Sequence, residues 1–140
     1  MSKKQILVVD DSFIMRTIIK DIVDSDPELE VVGFAENGKV GLQRVRELKP
    51  DAILLDLEMP EMSGIDMLKR LNFLSEAKVI VVSAVGQTGS PHALQARRLG
   101  AVDVIAKPSG AISLDLEAKK AHEIVQALRR ALALDPTLSG

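Results

Sequence analysis

The chain has 140 residues, which is enough for one domain with its own hydrophobic core. Hydrophobic residues make up 46% and charged residues 27%, and the net charge of −2 gives no indication of a nucleic-acid or membrane-surface partner. The absence of cysteine excludes disulfides and thiolate metal sites. The lysine-containing N-terminus has too short an apolar run for a signal peptide or a membrane span, so we expect a cytoplasmic protein.

Five short apolar runs are spread along the chain. Most of them are continuous in Val, Ile and Leu, which is typical of strands covered on both faces in a parallel sheet. They are QILVVD (5–10), EVVGFA (30–35), DAILLD (51–56), KVIVVS (78–83) and VDVIAK (102–107).

Segments with helical periodicity separate and follow these runs. Lys49–Pro50 is expected to end the second helix, and Gly100 lies where a C-terminal cap of the fourth would be. The apolar positions place the helices at residues 15–23, 38–48, 64–74, 90–99 and about 114–133.

The repeated alternation of strand and helix predicts an α/β fold, a doubly wound five-stranded parallel sheet with helices on both faces. We assign residues 1–134 to a single domain. Residues 135–140 lack periodicity and contain turn residues, so we interpret them as a tail or the start of a linker.

Polar side chains stand where the predicted strands end. Asp10 and Asp11 follow the first strand, Asp56 ends the third, Ser83 the fourth and Lys107 the fifth. In an open α/β sheet, ligands bind beyond the carboxyl ends of the strands. Two adjacent carboxylates repel one another, so the acid pair suggests that a cation lies nearby.

The potential ligands at this edge are all oxygens, which favours Mg²⁺, with Mn²⁺ or Ca²⁺ also suitable. A carboxylate at such a site can attack phosphorus and form an aspartyl-phosphate. That transfer needs a metal and a lysine to neutralise charge, together with a hydroxyl donor, and the five strand-end residues supply the side chains.

Each of these residues also has a simpler interpretation. Asp11 or Ser12 could be the N-cap of the first helix, and Ser83 could cap the next segment. Asp56 could be a turn residue and Lys107 a solvated charge at a strand end. Their occurrence together at successive strand ends favours a shared site.

The remaining candidates are weaker. His92 and His122 fall on predicted helices without a partner at a suitable spacing, so we interpret them as surface histidines. Pro60 and Gly64 suit a tight strand-to-helix turn. No dinucleotide, Walker A or nucleophile-elbow motif is present.

Four segments, ILVVDDS, LLDLEMPEMSG, VIVVSA and AKP, resemble the receiver domain of two-component response regulators. The resemblance covers nearly the whole chain and implies the flavodoxin-like strand order 2-1-3-4-5. DSDPELEVVG (24–33) and GAVDVIAKPSGAISLDLE (100–117) further resemble the receiver half of chemotaxis protein-glutamate methylesterases.

The resemblance implies roles for the strand-end acids. Asp56 corresponds to the phospho-acceptor. Asp10 and Asp11 correspond to the acids that bind Mg²⁺ together with Asp56, and the backbone carbonyl of Glu58 is the further protein ligand.

The resemblance also implies a switch. Ser83 corresponds to its hydroxyl and Lys107 to the phosphate-sensing lysine, which a cis Lys107–Pro108 bond would orient. Many receivers have an aromatic residue three positions before this lysine, whereas this chain has Val104. We therefore expect a smaller response, carried by residues 84–90.

The interpretation we favour is a module that accepts a phosphoryl group from a histidine kinase, of chemotaxis type, and regulates a methylesterase domain. That domain would pack on the face formed by the fourth helix, the fifth strand and the last helix. One alternative is a free-standing receiver that acts as a shuttle or phosphate sink. Another is a scaffold without phosphorylation, which is disfavoured because all five site residues are present. A third is a small flavodoxin-like enzyme, which is disfavoured because a phosphate loop, Trp and Tyr are absent.

Overall fold

The computed structural model of the chain describes residues 3–84, 88–108 and 114–134, and gives side chains in the last range from residue 121 onward. Among these residues, no helix has the length and apolar character needed to cross a membrane.

Five strands form one parallel sheet in the order β2-β1-β3-β4-β5. This order and the five predicted strands are confirmed. The strands are β1 (Lys4–Val9), β2 (Leu29–Ala35), β3 (Ala52–Leu55), β4 (Lys78–Ser83) and β5 (Asp103–Ala106). The strand order reverses between β1 and β3, and a crevice for a ligand is expected beyond their carboxyl ends.

Each strand is connected to the next by a helix, and a fifth helix ends the fold, as predicted. Side chains of residues before the first four helices accept hydrogen bonds from free backbone N–H groups, which explains where these helices begin. The N-cap residues are Ser12, Asn37, Ser63 and Ser90. The helices are α1 (Phe13–Asp24), α2 (Gly38–Leu48), α3 (Gly64–Leu74), α4 (Pro91–Arg98) and α5 (Leu114–Ala131).

Two helix ends also follow their sequence signals. Lys49, at the end of α2, has a left-handed backbone with φ of 48°, and Pro50 follows it. Gly100, just past the end of α4, has φ of 112°, which glycine adopts without steric cost. Both predicted stops are confirmed.

The core consists of two apolar clusters, one on each face of the sheet. Leu7 and Val9 of β1 belong to the cluster that packs against α2, α3 and α4, whereas Ile6 and Val8 belong to the one that packs against α1 and α5. The alternation follows from the two-residue period of a strand. Because Ile6 to Val9 are fully buried, on both faces of the sheet, the strand end that carries the acids is packed on both sides.

Candidate functional site

Beyond the carboxyl ends of β1, β3, β4 and β5 lies a cleft of about 250 Å³. Asp11, Asp56, Ser83 and Lys107 line this cleft, and Asp10 is buried beside it. The structure therefore brings all five strand-end residues together, because parallel neighbouring strands end at one edge of the sheet. The remaining lining residues are Leu57, Glu58, Ala84, Ser90 and His92.

Three of the residues form an acidic cluster. Asp10, Asp11 and Asp56 can each offer one carboxylate oxygen such that all three atoms lie within 4.8 Å of one another. Asp10 is 1% exposed and Asp56 is 5% exposed, whereas Asp11 is open to solvent. Two acids are thus fixed in the protein and one stands at the mouth of the cleft.

Lys107 places a positive charge between the two buried acids. Its Nζ lies 3.1 Å from Oδ2 of Asp10 and 3.2 Å from Oδ2 of Asp56. The backbone N–H of Lys107 donates to the carbonyl of Ser83 at 2.7 Å. This bond continues the pairing of β4 with β5 by one residue and keeps Lys107 at the edge of the sheet where the cleft lies.

The Lys107–Pro108 peptide bond is trans, so the expectation of a cis bond is wrong. A trans X–Pro bond is favoured by about 0.5–1 kcal/mol over the cis form. With the bond trans, Lys107 already contacts both buried carboxylates.

Burial and charge shift the pKa values of the two residues that face each other. Burial raises the pKa of Asp56 to about 6, with repulsion from Asp10 adding to it, although attraction to Lys107 acts against the rise. Burial alone would lower the pKa of Lys107, but attraction to Asp56 and Asp10 outweighs it and raises this pKa above its ordinary value. The lysine therefore remains a cation at neutral pH.

The oxygen atoms of Asp10 show that the cluster suits a metal ion. Oδ1 accepts a hydrogen bond from the N–H of Ser12 at 2.8 Å. Oδ2 is buried and, within the described part of the chain, its contact is the ion pair with Lys107 at 3.1 Å. A buried anionic oxygen with unused coordination, beside two more carboxylates, fits a hard divalent cation.

Gly64 fixes the turn after Asp56 by close approach. A Cβ atom at this position would lie 2.4 Å from the backbone oxygen of Asp56 and 2.7 Å from Cα of Leu57. The N–H of Gly64 donates to the carbonyl of Leu57 at 3.0 Å. Gly64 lies in the turn, as the sequence predicted. The residue of this turn with a left-handed backbone is Glu61, with φ of 64°.

The capping alternatives are resolved by the hydrogen bonds. Ser12 is the N-cap of α1 and accepts from the N–H of Met15 at 3.1 Å, so Asp11 does not have that role. Ser90, not Ser83, caps α4. Ser83 is buried at the end of β4.

Two further expectations concern the response of the domain. Val104, which stands where many receivers have an aromatic residue, is buried in the cluster that packs against α2, α3 and α4. Of the segment 84–90, residues 85–87 lie outside the described residues.

Sequence reasoning missed His92, which is exposed on the first turn of α4 and lines the cleft. In a doubly wound fold, each connecting helix begins at the edge of the sheet where the preceding strand ends. The first turn of every connecting helix is therefore a candidate for the site, and this topological rule is the signal that could have identified His92.

Comparison with known proteins identifies the family of the chain. The family model of the response regulator receiver domain matches residues 6–119. The chain is 47% identical over 129 residues to protein-glutamate methylesterase/protein-glutamine glutaminase 1 of Syntrophomonas wolfei, covering 92% of this chain and 36% of that protein. It is 44% identical to the corresponding protein of Thermotoga maritima, covering 94% of this chain and 38% of that protein. The chain thus spans little more than a third of the length of these relatives.

Solved structures agree with the fold. The response regulator domain of Thermotoga maritima CheB superposes with a TM-score of 0.83 at 43% identity, covering 96% of this chain and 99% of that one. A chain from the complex of the P1 domain of CheA3 with CheY6 of R. sphaeroides gives 0.79 at 36% identity, covering 95% and 99%. The resemblance to methylesterase receivers is confirmed, and the chain belongs to the response regulator receiver domain family.

Proposed function

We propose that Asp56 accepts a phosphoryl group from a phosphohistidine of a histidine kinase of chemotaxis type, in the cytoplasm. The observation that carries this proposal is the buried Asp56 carboxylate with the Lys107 ammonium 3.2 Å away, in a cleft with further acids. A carboxylate oxygen would attack phosphorus, and the P–N bond to the histidine would break. The products are an acyl phosphate on Asp56 and a free imidazole.

Lys107 and Ser83 would act on the transferred group. The ammonium of Lys107 would offset charge on the phosphoryl oxygens, since it already lies beside the acceptor. The hydroxyl of Ser83, at the end of the neighbouring strand, would donate a hydrogen bond to the same oxygens. The N–H of Glu58 donates to Oδ1 of Asp56 at 3.3 Å and orients the carboxylate.

The acidic cluster would hold a divalent cation, which we propose is Mg²⁺, with Mn²⁺ or Ca²⁺ as substitutes. Asp10, Asp11 and Asp56 would supply carboxylate oxygens, and Glu58 its backbone carbonyl. When bound, the cation neutralises charge on the phosphoryl group.

We further propose that residues 1–134 form the receiver and that 135–140 begin a linker to a methylesterase-type region. Two relatives of the chain are named as protein-glutamate methylesterases and are about two and a half times its length. This similarity favours a regulatory domain over a free-standing receiver or a small enzyme of its own.

The surface that would contact such a region is the face of α4, β5 and α5. Asp103 of β5 pairs with Arg97 of α4 at 3.7 Å and with Arg130 of α5 at 3.3 Å, so ion pairs connect all three elements. Leu94 and Val102 add exposed apolar side chains, 48% and 46% accessible. Because Ser83 ends β4 and Lys107 directly follows β5, their movement toward a phosphoryl group would shift this face.

Charge reversal tests the proposed contact. Arg97→Glu or Arg98→Glu should weaken binding of a separately prepared methylesterase region to this receiver, whereas Lys39→Glu on α2 should not. Equal binding by all variants would reject the face. Amide exchange with and without a phosphoryl mimic gives an independent measurement, and changes confined to α1 and α2 would contradict it.

Transfer from a phosphorylated kinase domain tests the main proposal. Wild type with Mg²⁺ should take up label from the phosphohistidine within the mixing experiment, and Asp56→Asn should not. Stoichiometric uptake by Asp56→Asn would show that another residue is the acceptor. No uptake by wild type from a phosphohistidine or from a small acyl phosphate would reject the function.

A further inference from the structure

Arg16, in the second turn of α1, reaches back to the end of β1. Its Nη1 donates to the backbone carbonyl oxygen of Asp10 at 2.7 Å. The ring of Phe13 lies under the guanidinium group, 5.8 Å from its centre, in a cation–π arrangement. A charged donor makes this bond stronger than an ordinary backbone pair.

The bond completes the anchoring of Asp10. Its backbone N–H donates to the carbonyl of Ala35 at 2.9 Å, which is the last link between β1 and β2. Its carboxylate accepts from the N–H of Ser12 and lies against Lys107. Arg16 holds the backbone carbonyl of this residue as well.

The same bond orients Asp11. A peptide group is planar, so the carbonyl of Asp10 and the N–H of Asp11 belong to one rigid plane. Fixing the carbonyl of Asp10 fixes the direction in which the chain enters Asp11. This matters because Asp11 is the exposed acid of the cluster and is not held by burial as Asp10 and Asp56 are.

We propose that Arg16 is a positioning residue for the cation site: by holding the carbonyl of Asp10, it sets the peptide plane that aims the carboxylate of Asp11 at the acidic cluster. Arg16 acts through the backbone and does not contact the cation. The inference rests on the proposed binding of a divalent cation by the three acids.

Mg²⁺ binding to the metal-free protein, measured by titration calorimetry without a phosphoryl donor, tests the inference. Arg16→Met should raise the Mg²⁺ dissociation constant about tenfold, or about 1.4 kcal/mol, which is near the lower limit for a hydrogen bond from a charged group. Arg16→Lys, which keeps the charge and a donor, should recover affinity to within about threefold of wild type. Arg44→Met, which removes an exposed arginine paired only loosely with Glu47 at 3.5 Å, should leave the constant unchanged.

A second readout reports the backbone directly. Without metal, Arg16→Met should shift the amide resonances of Asp10, Asp11 and Ser12 and leave those of β3 and β4 in place. Arg16→Gln is measured alongside as a milder change. The inference would be overturned if both the Met and Gln variants bind Mg²⁺ within about twofold of the wild-type affinity. A twofold change is smaller than the contribution of a hydrogen bond to a charged group. An equal loss in Arg44→Met would overturn it too, because net charge would then be the cause.

The outcome is separable from that of the proposed function. If wild type binds Mg²⁺ but accepts no phosphoryl group, the function fails and the calorimetric test of Arg16 still decides its role. If wild type accepts the phosphoryl group but Arg16→Met binds Mg²⁺ normally, only the role of Arg16 is rejected.

Discussion

The Nζ atom of Lys107 is shared between two buried carboxylates, 3.1 Å from Oδ2 of Asp10 and 3.2 Å from Oδ2 of Asp56. One cation therefore faces two acids, and the exposed Asp11 adds a third negative charge to the cluster. Without a divalent cation the site holds excess negative charge in a partly desolvated place. We expect this imbalance to lower the stability of the metal-free protein and to make that stability depend on metal and pH.

Removing the lysine should destabilise the metal-free protein. Lys107→Met leaves Asp10 and Asp56 facing each other without a counter-charge, which should lower the free energy of unfolding by about 1–3 kcal/mol. Urea denaturation at pH 7 with a chelator measures this change, and Lys39→Met, at an exposed site on α2, should differ little from wild type. A Lys107→Met protein as stable as wild type would contradict the shared ion pair.

Mg²⁺ should stabilise the protein by relieving repulsion among the acids. At a concentration ten times the dissociation constant, ligand linkage predicts about 1.4 kcal/mol and a rise of a few degrees in Tm. Asp10→Asn and Asp11→Asn should each reduce this rise, whereas Asp21→Asn, an exposed acid on the outside of α1, should not. A wild-type Tm that does not respond to millimolar Mg²⁺ would reject the metal assignment.

The raised pKa of Asp56 predicts a pH-dependent cost. Its pKa is about 6 in the folded protein against an ordinary 3.8, so between these values the folded state holds more protons than the unfolded state. Stability therefore falls as pH rises through this window: the cost is absent below the lower pKa and complete above the upper one.

Asp56→Asn removes this cost, so without metal its advantage over wild type should grow from near zero at pH 4 to about 1–2 kcal/mol at pH 7. This is less than the roughly 3 kcal/mol of a full two-unit shift, because solvent reaches the cleft. Chemical denaturation at several pH values, with a chelator, gives the difference. An advantage that is constant with pH, or largest at pH 4, would be the opposite of this expectation.

Gly64 should not tolerate a side chain. In Gly64→Ala the new Cβ would lie 2.4 Å from the backbone oxygen of Asp56, so α3 or the backbone of the acceptor must move. We expect a loss of about 1–3 kcal/mol in stability and slower phosphorylation. Gly89→Ala is the matched control, because no atom lies within 4 Å of the added Cβ. Equal behaviour of the two variants would show that the close approach is unimportant.

Much of the fold could be predicted because its elements leave local signals. The continuous apolar runs mark strands buried on both faces, and Ile6 to Val9 show this directly, with alternate residues in opposite clusters. The strand order could not be derived in this way, since every strand has a similar pattern, and it came from the resemblance to receivers.

The site could be predicted where chemistry coincides with strand ends, as it does for Asp10, Asp56 and Lys107. His92 and Arg16 were missed because their positions depend on how α4 and α1 return to the sheet edge, which residue type does not reveal. The cis Lys107–Pro108 bond was implied by the resemblance alone and is wrong. The residue types do not decide between the two forms, because cis and trans differ by only about 0.5–1 kcal/mol before tertiary contacts act.

The most direct test of the account is to locate the phosphoryl group in the chain. Wild-type protein is incubated with a small acyl phosphate and Mg²⁺, the acyl phosphate is trapped by borohydride reduction, and the peptides are analysed by mass spectrometry. The account predicts one modified residue, Asp56, and no modification without the donor or in Asp56→Asn. Modification at Asp10 or Asp11 with Asp56 intact, or no acyl phosphate on any residue, would contradict it.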